Sequence, residues 1–278
     1  MTGRPKAQSD AVAERRESRR ERELAGGWRA SDTRLDEALL HRVGTTAEPR
    51  PRVTVVIPAL NEAANLPHVL PRLNGLADEV ILVDGGSVDG TCDVARALRP
   101  DIRMVEQNGR GKGNALSAGF EAATGDIIVM IDADGSTDPA EIPSFVGALL
   151  AGADFAKGSR FLEGGGTTDM EIYRRLGNST FVFLVRMLFG GRYTDLCYGY
   201  NAFWRDVLPV LDLNGDGFEI ETMMNIRARR ARLNVVEVGS CEGRRVHGES
   251  RLRTIPDGWR VLRTILRERF FSGKESRL

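Results

Sequence analysis

The sequence predicts an α/β protein with a mostly parallel central sheet and helices on both faces. Three observations point there. From Val53 onward, short β-branched runs alternate with helical stretches. The strand-like runs are continuously apolar rather than alternating, as strands covered on both faces must be. Polar and glycine residues gather directly behind those runs, at the carboxyl edge where open parallel sheets bind ligands.

The strands are expected at "VTVVI", "EVILV", "IRMV" and "DIIVMI", and the helices near residues 62–73, 91–99, 112–123 and 139–150. Behind the first strand come Pro58, Ala59, Asn61 and Glu62. Behind the second comes Asp84 with "GGSVDG", and behind the fourth come Asp132, Ala133 and Asp134. An aspartate leaving an apolar strand is costly to bury unless donors reach it, and nucleobase imino and amino groups are such donors. Glycines of "VDGGSVDGT" permit tight turns, and Thr91 or Asp89 is placed to cap the next helix, whose amino end favours an anion. No GxxxxGK[ST] loop or GxGxxG fingerprint is present. In "NGRGKGNALSAGF", Arg110 and Lys112 stand among glycines before a helix, where they bring positive charge to a phosphate.

Asp132 and Asp134 in "IIVMIDADGST" repel each other unless a cation neutralises them. Oxygen-only ligands suit Mg²⁺ or Mn²⁺, and Mg²⁺ commonly shares one or two carboxylates with substrate phosphates. "DADGSTDPAEI" lacks the ligand layout of an EF-hand. The three histidines show no HExxH pattern, and Cys92, Cys197 and Cys241 no CxxC spacing, so neither zinc nor a disulfide framework is expected.

Lysine plus arginine and aspartate plus glutamate each total 39, a formal net charge of zero that argues against a nucleic-acid partner. Residues 1–50, with "AERRESRRERE", read as a charged mobile arm, and the prolines of "TTAEPRPR" mark its boundary with a domain over 51–255. No apolar run reaches the roughly 18 residues of a membrane span. The expected location is the cytoplasm, with peripheral contact at the inner face of a membrane as a further possibility. Two segments bear on that contact: a helix over Leu176–Phe189 with an apolar face, and a basic amphipathic helix over 256–278 containing "WRVLRTILRERFF". Such a helix either packs on the domain with its arginines solvated or lies on a membrane surface.

In their order along the chain, "VVIPALNEAANL", "VILVDGGSVDGT", "GKGNALSAGF", "VMIDADGSTDP", "AKGSRF" and "GFEIETMMNIRA" resemble the family 2 glycosyltransferases of GT-A fold. The branch resembled holds the dolichyl-phosphate mannosyltransferases and polyprenyl-phosphate glucosyltransferases, and the match runs from about Val53 to about Arg253. The resemblance implies inverting transfer of a hexosyl group from a nucleotide-diphosphate sugar, of GDP-mannose or UDP-glucose type. The acceptor would be polyprenyl phosphate or another cell-envelope or glycan acceptor; a soluble hydroxyl acceptor and a non-catalytic nucleotide-sugar binder are the alternatives. It implies that Pro58, Ala59, Glu62, Asp84, Lys112, Asp132 and Ala133 hold the donor, and that Asp132 and Asp134 bind Mg²⁺ or Mn²⁺. Arg160, Glu219 and Glu221 would be the catalytic residues. Arg245, His247 and Ser250 would belong to an "R.HGES" loop facing acceptor or phosphate.

Overall fold

The computed structural model describes residues 50–168 and 170–270. The chain divides into two compact units, Met1–Arg52 and Val53–Leu278. The expected arm over 1–50 lies almost wholly outside the described residues, as does the end of the predicted carboxyl-terminal helix over 271–278.

The second unit begins with β1 (Val53–Ala59), followed by a short α1 (Leu66–Val69), β2 (Glu79–Asp84), α2 (Thr91–Leu98), β3 (Arg103–Glu106), α3 (Lys112–Ala122) and β4 (Ile127–Met130). Then come α4 (Ile142–Leu150), β5 (Phe155–Ser159), β6 (Gly166–Thr167), α5 (Ile172–Phe189), β7 (Asn201–Trp204) and α6 (Leu208–Leu211). The unit closes with α7 (Ile220–Arg230), β8 (Val235–Gly239), β9 (Cys241–Glu242) and α8 (Thr254–Phe270). All four strands expected from the apolar runs are present. The stretch expected as one helix over 62–73 is instead broken, because Pro67 and Pro71 each open a separate short helical turn.

Seven strands form one sheet in the order β3-β2-β1-β4-β7-β5-β8. Pairings on either side of β1 are parallel, while β7 runs antiparallel between β4 and β5. That reversal matters for function. Asn201, which opens β7, stands opposite Met130, which closes β4. The residues just before β7 therefore arrive at the same sheet edge as the residues just after β4.

The strands are buried as their apolar runs require, with Val55, Val56, Ile57, Ile81, Leu82, Ile128 and Val129 fully inaccessible. One face packs against Leu66, Leu70, Leu73, Ile142, Phe145 and Leu149. On the other, Phe120 meets Phe203 edge-on. A second core joins Val182, Val185, Tyr193, Leu196, Ile226, Val261 and Ile265 beneath α5, α7 and α8.

Candidate active site

Three loops leave the carboxyl edge of β1, β2 and β4 and fasten to one another. Asn61 adopts a left-handed backbone, φ 53°, a conformation in which asparagine is at ease. Its side chain accepts from the Val88 amide at 2.8 Å, while its own amide donates to Ser87 Oγ at 2.8 Å. Asp84, beside Ala59 in the sheet register, accepts from the amides of Gly86 and Ser87, each at 3.1 Å. Its burial is thus compensated locally.

The third arm is the amino end of α3. Gly111 takes φ +94°, and a Cβ there would come within 2.2 Å of the Asp216 carbonyl oxygen. One added at Gly113 would come within 2.1 Å of the Gly215 carbonyl oxygen. Glycines at both positions let α3 seat against the turn before α7 and aim Lys112 inward. Lys112 Nζ lies 2.6 Å from Asp132 Oδ1 and 2.8 Å from Glu221 Oε1. Burial works against its charge, yet Asp132 and Glu221 outweigh that penalty and hold the ammonium above its ordinary pKa. Glu221 is 3% exposed, and burial pushes its carboxyl upward while Lys112 pulls the other way. Asp134 is raised by burial and by the neighbouring Asp132 charge.

A loop following β9 closes over these groups. Arg245 donates to both Glu62 oxygens and approaches Asp134 Oδ2 at 3.4 Å. The Val246 amide donates to the Asp134 carbonyl at 3.1 Å, and the His247 amide to Asn65 Oδ1 at 2.8 Å. Each of the two strand-end aspartates thus faces a cationic side chain.

A cavity of about 450 Å³ opens here. Of the residues expected at the site, Pro58, Ala59, Glu62, Lys112, Asp132, Ala133, Asp134, Arg160, Glu221, Arg245 and Ser250 line it. Three do not. Asp84 turns to its own loop amides, one strand over from Ala59. His247 contributes backbone bonds, its ring lying 5.5 Å from that of His68. Glu219 corrects the expectation of paired carboxylates. It precedes α7, where its Oε1 accepts from the Gly217 amide at 3.0 Å, and it lines a neighbouring hollow instead. Helical geometry explains the split: residues two apart point to different sides.

Arg160 lines the cavity, but its guanidinium is engaged within the protein. It grips Asp195 through Nε at 2.7 Å and Nη2 at 2.9 Å, donates to Glu242 at 3.0 Å and to the Cys197 carbonyl at 3.2 Å, and stacks over Tyr198. The geometry is that of a residue that positions the wall of the cavity.

Two other members carry only weak local signals in the sequence. Gly199 approaches the charged cluster so closely that a Cβ would meet Lys112 Nζ at 2.7 Å and Asp132 Oδ2 at 2.9 Å. Its only signal was a glycine between two aromatics in "YGY". Arg174 reaches the cavity from α5, its Nε forming no hydrogen bond but lying 3.8 Å from the Glu171 carboxylate in a loose ion pair. Its only signal was an arginine in the first turn of a helix with an apolar face. The far wall comes from α5 and α8, through Tyr173, Phe181 and Val261, and from Met170 and Leu252 just ahead of those helices.

A doubly covered α/β sheet that gathers carboxylates, a buried lysine and glycine turns at its carboxyl edge has the ligand-binding arrangement of open α/β proteins. The model of glycosyl transferase family 2 matches residues 54–211. The chain belongs to that family. It is 32% identical over 211 residues to a dolichol-phosphate mannosyltransferase of Pyrococcus furiosus, covering 73% of this chain and 59% of that protein. It is 34% identical to a polyprenol monophosphomannose synthase of Mycolicibacterium smegmatis, covering 69% of this chain and 78% of the relative. Among solved structures, glucosyl-3-phosphoglycerate synthase of Mycobacterium tuberculosis, in complex with Mn²⁺, uridine diphosphate and phosphoglyceric acid, superposes with a TM-score of 0.64 at 27% identity. That match covers 80% of this chain and 79% of the other. The same enzyme has also been solved with Mg²⁺ and uridine diphosphate, at a TM-score of 0.62 and 27% identity, covering 79% of this chain and 80% of that one.

Proposed function

We propose that the protein transfers a hexosyl group from a nucleotide-diphosphate sugar to a polyprenyl phosphate, inverting the anomeric carbon. The observation that carries this reading is the lining of the cavity. Asp132, Asp134, Lys112 and Glu221 share it with Tyr173 and Phe181 of α5 and Val261 of α8. The same two helices also show apolar side chains to solvent: Ile172, Leu176, Phe183 and Met187 on α5, and Ile255, Trp259, Leu266 and Phe270 on α8. In each helix these four fall at i, i+4, i+11 and i+15, a single stripe. A lipid tail suits such an apolar wall, and a bilayer surface suits the stripes.

Asp132 and Asp134 fit a divalent cation, Mg²⁺ or Mn²⁺. They offer oxygen only, and among the described residues no cluster of three or more His, Cys, Asp or Glu forms a closed cage, so donor phosphates would complete the shell. The cation would neutralise charge growing on the departing diphosphate. Lys112 then adds a fixed positive charge beside Asp132. Pro58, Ala59 and Glu62 frame the nucleotide, and Asp84 holds the neighbouring loop through the Gly86 and Ser87 amides. Arg245 and Ser250 close over the phosphates, with His247 fastening that loop to Asn65. Arg174, held only by a 3.8 Å ion pair to the exposed Glu171, faces the acceptor phosphate, and Arg160 fixes the wall beside it. A phosphate nucleophile is already anionic, so Glu221 serves to hold Lys112 rather than to take a proton. With a hydroxyl acceptor Glu221 would become the base.

The test is a matrix of donors (GDP-mannose, UDP-glucose) and acceptors (polyprenyl phosphate, phosphoglyceric acid, free sugars) with Mg²⁺ or Mn²⁺, following nucleoside diphosphate release. Release dependent on polyprenyl phosphate is expected. Turnover with soluble acceptors alone would overturn the lipid acceptor, and no turnover in any arm would overturn the transferase reading.

A further inference from the structure

Beside the cavity, and sharing only the Gly111 wall with it, lies a second hollow of about 540 Å³. Arg110, Arg260, Arg263 and Arg267 line it, together with Asp216 and Glu219. Four guanidiniums against two carboxylates leave it net positive. The "GRGK" loop divides its two cations here: Lys112 enters the donor cavity, whereas Arg110 enters this hollow. Arg260 is paired with Asp257 at 3.2 Å. Arg110, Arg263 and Arg267 form no ion pair among the described residues. Glu219, whose Oε1 is bound to the Gly217 amide, keeps a buried Oε2 with no partner.

Charged side chains from one loop and one helix converge on a concave surface without satisfying one another. On α8, Arg260, Arg263 and Arg267 follow at i, i+3 and i+7, a stripe rotated from the apolar one of Ile255, Trp259, Leu266 and Phe270 and from the buried one of Val261, Thr264 and Ile265. The guanidinium fork matches phosphate oxygens in pairs. We propose that this basin is a second phosphate-binding site, separate from the donor cavity, which takes a phosphate group either from a free anion or from an anionic lipid headgroup at the surface met by the apolar stripe. The proposal does not depend on the identity of the acceptor, because no residue of the basin other than Gly111 touches the donor cavity.

The experiment uses the full chain and the double variant Arg263→Gln/Arg267→Gln, whose side chains are exposed and unpaired, so the fold is retained. One arm titrates inorganic pyrophosphate by calorimetry in the presence of a metal chelator. Another measures sedimentation with vesicles of phosphatidylglycerol and phosphatidylcholine against vesicles of phosphatidylcholine alone. Saturable pyrophosphate binding that weakens about ten-fold or more in the double variant supports the site and a free anion as its source. A preference for phosphatidylglycerol that the double variant loses supports the site and a headgroup as its source. Arg175→Gln/Arg186→Gln, on the exposed side of α5, controls for bulk charge. Wild type binding neither, the double variant binding as wild type does, or the control losing as much as the double variant would each overturn the proposal.

Discussion

At the scale of single residues, the site is organised around Lys112. Its ammonium is the cation that makes the approach of the buried Glu221 to the part-exposed Asp132 tolerable, since two carboxylates this close repel. Lys112→Met would leave both uncompensated, at a cost of about 3–5 kcal/mol, typical for breaking a buried pair. The sign of its pH dependence follows. The folded-state pKa lies above the ordinary lysine value of 10.5, so the stabilisation is complete below that value and is lost as pH rises through the folded one. Denaturant unfolding of wild type and Lys112→Met between pH 7 and 11 should therefore show the gap at neutral pH and its narrowing only at the alkaline end. Gly199 gives a complementary case. Its Cβ would strike the flexible ends of Lys112, Asp132 and Glu221 rather than backbone, and its φ is not left-handed. Gly199→Ala should thus retain the fold, shifting stability by about 1–2 kcal/mol, while kcat falls about ten-fold or more through displaced charges. Thermal unfolding and turnover measured on one preparation separate the two effects.

At the scale of elements, α5 and α8 illustrate how one helix can serve core and surface together. The inner face of α8 buries Val261, Thr264 and Ile265, and Glu268 receives Arg227 and Arg230, each at 2.8 Å. Packing on the domain and exposure of an apolar stripe are thus compatible, although the amphipathic sequence suggested a choice between them. Replacing Leu176 and Trp259 by serine removes two exposed apolar side chains and little core. Vesicle sedimentation should weaken about ten-fold or more, each buried side chain contributing roughly 1.5–3 kcal/mol, with the thermal midpoint in solution unchanged. Loss of the fold in that variant would show that the stripe packs internally. The strands, α2, α3 and the loops behind β1, β2 and β4 were legible because an apolar run ending in polar residues is a local pattern. Three things were not. Asp195, the partner of Arg160, sits in "YTDLC" without periodicity and is brought to Arg160 only by tertiary packing. The reversed strand β7 reads like any short apolar run, so Gly199 gained its place through topology. Glu219 and Glu221 are adjacent in a motif yet part at the helix start, where chain direction decides which cavity each enters.

At the scale of the whole molecule, the sheet divides the labour. Strands β3, β2, β1 and β4 form a parallel half whose loops carry Asp84, Glu62, Lys112, Asp132 and Asp134. Beyond β4 the antiparallel β7 starts the other half, with Gly199, α5, α7 and α8 contributing the rest of the cavity lining. The two halves meet through Lys112, which binds Asp132 of one and Glu221 of the other. A two-substrate reaction on this frame should show separable kinetics. Asp84→Ala loosens the loop behind β2, whose Gly86 and Ser87 amides it holds, and should raise the donor KM by about ten-fold while leaving the acceptor KM alone. Arg174→Gln removes a charged donor from the α5 wall and should do the reverse, costing about 1.5–3 kcal/mol in acceptor binding, since hydrogen bonds to charged groups are worth that much. Steady-state rates over a grid of both substrate concentrations would reveal the pattern. Equal effects of both variants on both KM values would mean that the cavity acts as one undivided site, with Lys112 at its centre rather than at a boundary.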